Sequence, residues 1–205
     1  MTTIVRAAAL AAALAWAGFA PGAYAGDPPK LKSAAALIVD AETGEVLYDK
    51  NASAVLSIAS ITKLMTAVVV LDAGLPLDEP IEITREDLNA TRSARTFTPL
   101  NRGVTLTRDE LLKLALMASE NRAAAALGRT YPGGLEAFVR AMNETAAELG
   151  MNDTRFVEPT GLSSENVSSA ADLAKLVIVA RDYPLIREYS TAPSAEVRLG
   201  KRNTR

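Results

Sequence analysis

No histidine and no cysteine occur among the 205 residues. The first absence removes Ser-His-Asp triads and nearly all zinc hydrolases, which need an imidazole, so a hydrolase made from this chain must take its base from a lysine or a carboxylate. The second removes disulfides and a lipid-modified N-terminus. An excess of either charge is also lacking. With 22 basic residues against 24 acidic ones, nothing points to nucleic acid or an acidic membrane face as a partner. The short basic tail Lys201, Arg202 and Arg205 is too small to change that. No internal repeat or low-complexity linker is visible, and a chain 49% hydrophobic and 22% charged can bury one sizeable core.

Met1 to Ala25 has a different texture: Arg6, an Ala-rich apolar run from Ala7 to Ala20, then Pro21, Gly22 and the small-x-small triplet Ala23-Tyr24-Ala25. This predicts a secretory leader cleaved after Ala25, since the apolar run is short for a bilayer span. An exported chain without cysteine, whose core is large enough to need no staples, fits a bacterial periplasm. One domain is then expected over 26–205.

Short apolar runs at Ala34 to Asp40 and Glu45 to Tyr48 flank Ala41-Glu42-Thr43-Gly44 and predict a hairpin that opens an antiparallel sheet. After a crossing loop, Ile61, Leu64, Met65, Val68 and Val69 repeat with helical period, predicting a helix with one buried face that ends near Asp72-Ala73-Gly74. From Asp78 to Arg102 the pattern is weak: Ile81 and Ile83 alternate as a small strand would, and Arg92 to Asn101 is polar and irregular, which predicts a mobile lobe. A T-x-x-E box at Thr107 and Glu110 caps a helix through Met117. A second, short helix covers Arg122 to Arg129. Gly133-Gly134 opens a further helix that Gly150 stops. Phe156 to Leu162 reads as a turn, Ser169-x-x-Asp172 caps a last helix through Ala180, and Pro184 lies just past its end. Glu196 to Leu199 could begin a strand. Helices are therefore expected to concentrate between Ser60 and Asp182.

The chemistry centres on Ser60-Ile61-Thr62-Lys63. A serine at a helix start has a backbone N–H with no intrahelical acceptor, available to a developing oxyanion, and Lys63 at i+3 lies on the same face within reach of the hydroxyl. Burial or a second cation would lower the lysine pKa enough for it to take the serine proton. Taken alone, these four residues fit an ordinary N-cap and a solvated lysine better than a nucleophile and base. A second element changes the balance. Ser119-Glu120-Asn121 sits between two apolar helices, where a sharp turn can aim a proton-relaying hydroxyl and a carbonyl-binding amide into a cleft, or where both residues merely cap. Ser164-Glu165-Asn166 repeats the letters in a polar loop, a place for turn and capping duty.

S-x-x-K followed by S-x-N resembles the paired motifs of penicillin-binding proteins and class A β-lactamases. The fuller strings Ser57 to Ala67, Leu114 to Ala124, Tyr131-Pro132-Gly133-Gly134 and Pro159-Thr160-Gly161-Leu162 are similar to the low-molecular-mass D-alanyl-D-alanine peptidases, and most like their endopeptidase type, over about Ala34 to Asp182. The resemblance implies an α/β (α+β) fold of the serine β-lactamase/DD-peptidase kind, with an antiparallel sheet packed by helices beside a helical cluster. It also implies Ser60 as acylated nucleophile, Lys63 as its base, Ser119 as the second catalytic hydroxyl and Asn121 as a substrate-binding group. Peptidoglycan stem peptides or cross-links would be the substrates and β-lactams the slow acylating mimics, with no metal and no organic cofactor.

The family's K-T-G strand has no match, because Lys-Thr-Gly occurs nowhere in the chain and Lys201-Arg202-Asn203 lacks the glycine. The expectation is an N-terminal part of such a domain, without the last sheet strands, with weak turnover or none. Two other readings remain open. One is a serine β-lactamase with Glu158 as its water-activating base, and the other is a non-catalytic peptidoglycan-binding protein on the same scaffold.

Overall fold

The computed structural model describes residues 30–93 and 98–197. The expected leader, the basic tail, part of the polar stretch before Asn101 and the second half of the expected strand at Glu196 lie outside the described residues. Glu196 and Val197 have no regular structure.

Strands β1 (Ala36–Val39) and β2 (Val46–Lys50) pair antiparallel with Ala36 opposite Lys50, as the hairpin pattern predicts. Asp40 closes the turn by accepting from the Glu42 and Thr43 N–H groups at 2.9 and 2.8 Å. Strand β3 (Leu56–Ser57) then leads through a 3-10 turn (Ala59–Ile61) into helix α1 (Thr62–Asp72). Strand β4 (Pro80–Glu82), helix α2 (Arg85–Ala90) and strand β5 (Thr105–Thr107) follow, with β4 and β5 antiparallel. Helices α3 (Arg108–Met117), α4 (Asn121–Arg129) and α5 (Gly134–Glu148) lead to strand β6 (Val167–Ser168), which returns to pair with β3. Helices α6 (Ala170–Ala180) and α7 (Pro184–Thr191) complete the described chain. The antiparallel pairing expected of one sheet thus appears among the described residues as three two-stranded ribbons.

Helix α1 is the axis of the molecule. The sequence predicts one buried face, but Thr62, Lys63 and every residue from Met65 to Val70 are buried, because α3, α4, α5, α6 and α7 all pack around it. Burial that deep excludes polar side chains unless each finds a partner. Phe138 and Met142 of α5, Leu111 and Leu112 of α3, Leu127 of α4 and Phe156 fill the surrounding core.

The two expected caps form. Thr107 and Glu110 exchange bonds across the start of α3, and the Ser169 hydroxyl accepts from Asp172 N at the start of α6. Two helices go beyond the expectation. Helix α2 carries a second box, in which Thr84 and Asp87 cap reciprocally. Pro184 opens α7 from within its first turn, where a missing N–H costs nothing, so the helical region runs past Asp182 to Thr191. The Tyr183 hydroxyl donates to Asp72 at 2.8 Å and Tyr189 donates to Asp109, which clamps α7 onto α1 and α3.

Candidate active site

Ser60 lies in the middle of the 3-10 turn and its side chain is exposed. It caps nothing: Ile61 is the N-cap of α1, and no side chain bonds there. Ala59, just before it, has φ of +46°, a left-handed conformation that a residue with a Cβ adopts only when its surroundings impose it. The Ser60 N–H has no acceptor among the described residues, so it is free to meet an oxyanion.

Lys63 is 2% exposed, one turn further on. Its Nζ donates to three oxygens: Ser60 Oγ at 3.2 Å, Asn121 Oδ1 at 2.8 Å and the Thr160 carbonyl at 2.7 Å. No carboxylate lies within salt-bridge distance of it among the described residues. Burial pushes its pKa down to about 8, against the opposing pull of Glu158 and Glu120. The solvated surface lysine is therefore ruled out, and of the two causes expected for a lowered pKa it is burial that acts.

Ser119 and Asn121 part company. Asn121, the first residue of α4, reaches Lys63 through its oxygen while its Nδ2 makes no hydrogen bond among the described residues, which leaves two donors for a substrate carbonyl. Ser119 occupies the sharp turn between α3 and α4 at φ +51°, exposed, and makes no hydrogen bond among the described residues. Between them Glu120 caps α4 by accepting from Ala123 N at 2.6 Å.

The segment Glu158 to Leu162, read as a turn, supplies the third wall. Its Thr160 carbonyl holds Lys63, and its Pro159 carbonyl accepts from the Thr66 hydroxyl at 2.7 Å. Backbone acceptors carry no letter in a sequence, so only the Pro-Thr-Gly-Leu string marked the place. Two glycines let this segment approach. At Gly161 a Cβ would fall 1.9 Å from the Ala59 carbonyl oxygen, and at Gly128 in α4 it would fall 2.9 Å from the Pro159 ring. Asn166, set aside with turn and capping residues, proves structural but central. Fully buried, it donates to Thr62 Oγ1, accepts from Val157 N, and takes the Ile58 N–H on its carbonyl.

Glu158 is no base for a water. Its Oε2 accepts from Thr160 N and Oγ1, and its Oε1 accepts from Gly161 N, Ser163 N and Asn166 Nδ2. With both oxygens so engaged, the β-lactamase reading loses its one candidate for rapid deacylation.

The Ser60 hydroxyl and the Asn121 amide meet at the buried Lys63 amine on a scaffold of helices and small antiparallel ribbons, which is the make-up of a serine–lysine peptidase domain. The chain belongs to the D-alanyl-D-alanine carboxypeptidase family of S11 peptidases, whose profile matches residues 23–205. It is 49% identical over 195 residues to a D-alanyl-D-alanine endopeptidase of Pseudomonas aeruginosa, covering 88% of this chain and 62% of that one. It is 51% identical over 164 residues to the Escherichia coli D-alanyl-D-alanine endopeptidase, covering 80% and 52%. The chain thus spans between about half and two thirds of the length of these relatives. Among solved structures, the Streptomyces K15 DD-transpeptidase superposes with a TM-score of 0.73 at 29% identity over 78% of this chain and 65% of that one. A D-alanyl-D-alanine carboxypeptidase from Mycobacterium tuberculosis superposes with a TM-score of 0.74 at 28% identity, over 82% and 62%.

Proposed function

We propose that this chain forms the serine–lysine half of an exported D-alanyl-D-alanine peptidase that acts on peptidoglycan stem peptides or cross-links through an acyl-enzyme on Ser60. One observation carries the reading: a buried lysine bonded to the Ser60 hydroxyl and to neutral oxygens only. As an ammonium, Lys63 matches its three hydrogens to three acceptors. On losing one it keeps the two shorter bonds, to Asn121 and Thr160, and turns its lone pair along the longest, toward Ser60 Oγ.

In that state the amine takes the serine proton as Oγ attacks the D-alanyl carbonyl, and the Ser60 N–H stabilises the oxyanion. The C–N bond then breaks, with the proton passing to the leaving amine, and water later hydrolyses the ester. Asn121 Nδ2 donates to a backbone carbonyl of the substrate. Ser119, exposed in the turn before α4, would be the hydroxyl that hands a proton to the leaving group. β-Lactams enter by the same acylation and stay, because the ring-opened amine does not depart. The leader-like run Met1 to Ala25 supports a periplasmic setting for this chemistry.

Intact-protein mass spectrometry after prolonged exposure to penicillin tests the reading. A single adduct that maps to Ser60 and disappears in Ser60→Ala is expected. A folded wild-type chain that gains no mass would leave only a binding role.

A further inference from the structure

Asked what aims Lys63, the structure answers with a carboxylate that never touches it. We propose that Glu158 is the positioning residue of this lysine, acting through two consecutive peptide groups that it turns toward α1, with Asn166 holding Glu158 against the start of that helix. The proposal rests on the serine–lysine reading above and adds to it the group that places and poises the base.

In a trans peptide the N–H and C=O point in opposite directions. The Pro159–Thr160 peptide donates its N–H to Glu158 Oε2 at 2.6 Å and presents its carbonyl to the Thr66 hydroxyl at 2.7 Å. The Thr160–Gly161 peptide donates its N–H to Glu158 Oε1 at 2.7 Å and presents its carbonyl to Lys63 Nζ at 2.7 Å. One carboxylate on the far side of this segment therefore aims both carbonyls at successive turns of α1. Its negative charge also polarises both peptides, which makes each oxygen a better acceptor.

Asn166 fixes the other end. Its Nδ2 bonds Glu158 Oε1 at 2.9 Å, the Glu158 carbonyl at 2.9 Å and Thr62 Oγ1 at 3.1 Å, so the carboxylate is tied to the residue before Lys63. The charged groups acting on Lys63 are Glu158 from this loop and Glu120 from the cap of α4, and both favour its protonated form against burial. Glu158 thus does two things at once. It holds the amine beside Ser60, and its charge opposes the lowering of the lysine pKa by burial, which helps the lysine give the proton back.

Titration of the Lys63 side-chain ¹³Cε and ¹⁵Nζ resonances, assigned by their loss in Lys63→Met, tests this without requiring turnover. The wild-type resonances should titrate at about 8. Glu158→Gln keeps the reach and removes the charge, so the midpoint moves to lower pH. Glu158→Asp keeps the charge and shortens the reach, so the midpoint stays near the wild-type value while the limiting rate of penicillin acylation falls by about 100-fold.

A folded Gln variant with an unmoved midpoint overturns the proposal, as does a folded Asp variant acylated at the wild-type rate. If neither variant folds, the role is structural only, and the proposal fails. A wild-type chain whose lysine titrates at about 8 yet never acylates sinks the peptidase reading, while the positioning claim stands or falls on the Gln midpoint alone.

Discussion

Among the described residues two cations are buried at helix starts, and their surroundings are opposite. Arg108, the first residue of α3, is 1% exposed and ion-paired to Glu79, with Thr130 Oγ1 a further partner at 3.4 Å. Lys63, in the first turn of α1, is as deeply buried and has only a hydroxyl, an amide oxygen and a carbonyl around it. A guanidinium keeps its charge whatever its neighbours are, so a carboxylate beside it is stabilising and chemically silent. An ammonium bonded to neutral oxygens can lose its proton without stranding an anion. The same burial therefore makes a fixed strut at one helix and a titrating amine at the other.

Changing Lys63 itself is the strongest way to break the comparison. Lys63→Met should lower the rate of penicillin acylation by about 1,000-fold or more. Its stability should also depart from wild type with a definite sign. The unfolded lysine holds its proton up to about 10.5 and the folded one only to about 8, so between these values the unfolded wild type binds more protons and its unfolding free energy rises with pH. Denaturant titrations should show wild type gaining on the order of 3 kcal/mol relative to Lys63→Met across that window, with no change in the difference below it. A flat difference would mean that the amine is not proton-poor in the native state.

The next effect is geometric. Gly161→Ala must displace the Ala59–Ser60 peptide, which carries both the proposed nucleophile and its proposed oxyanion donor, so acylation should slow by about 100-fold while the Lys63 titration moves little. Stopped-flow measurement with fluorescent penicillin separates the two readouts. The smallest effect belongs to the silent partner. Arg108→Met should cost about 1 to 3 kcal/mol in chemical unfolding, since half-exposed Glu79 can turn to water when its partner is gone, and should leave the acylation midpoint near pH 8. A shift in that midpoint would show that the two helix starts are coupled.

The parts of this site that the sequence disclosed are those set by local geometry. Ser60 and Lys63 stand three apart on one turn, so their meeting needs only the helical period, and the T-x-x-E and S-x-x-D caps announce their helices in the same way. What escaped was non-local or backbone-borne. The Thr160 carbonyl comes from 97 positions away and belongs to no side chain. Glu158 beside a proline looked like a candidate base because a sequence cannot show that five donors occupy its oxygens. The short helix α2 has too few apolar residues to display a period, and Pro184, read as a stop, is equally at home at the beginning of α7. The burial of α1 on nearly every side was hidden for a related reason: Lys63, Thr62 and Thr66 look polar until the partners that satisfy them are in place.

The acceptors of Lys63 lie 3, 58 and 97 residues away along the chain, so the proposed base is assembled only after most of the polypeptide has closed around it. While the chain is threading, newly emerged or partly melted, its serine is as inert as any in a random coil. Covalent capture by a β-lactam is consequently a one-shot assay of conformational integrity, and the adduct yield along a melting curve should track loss of the whole tertiary structure instead of the fraying of any one helix.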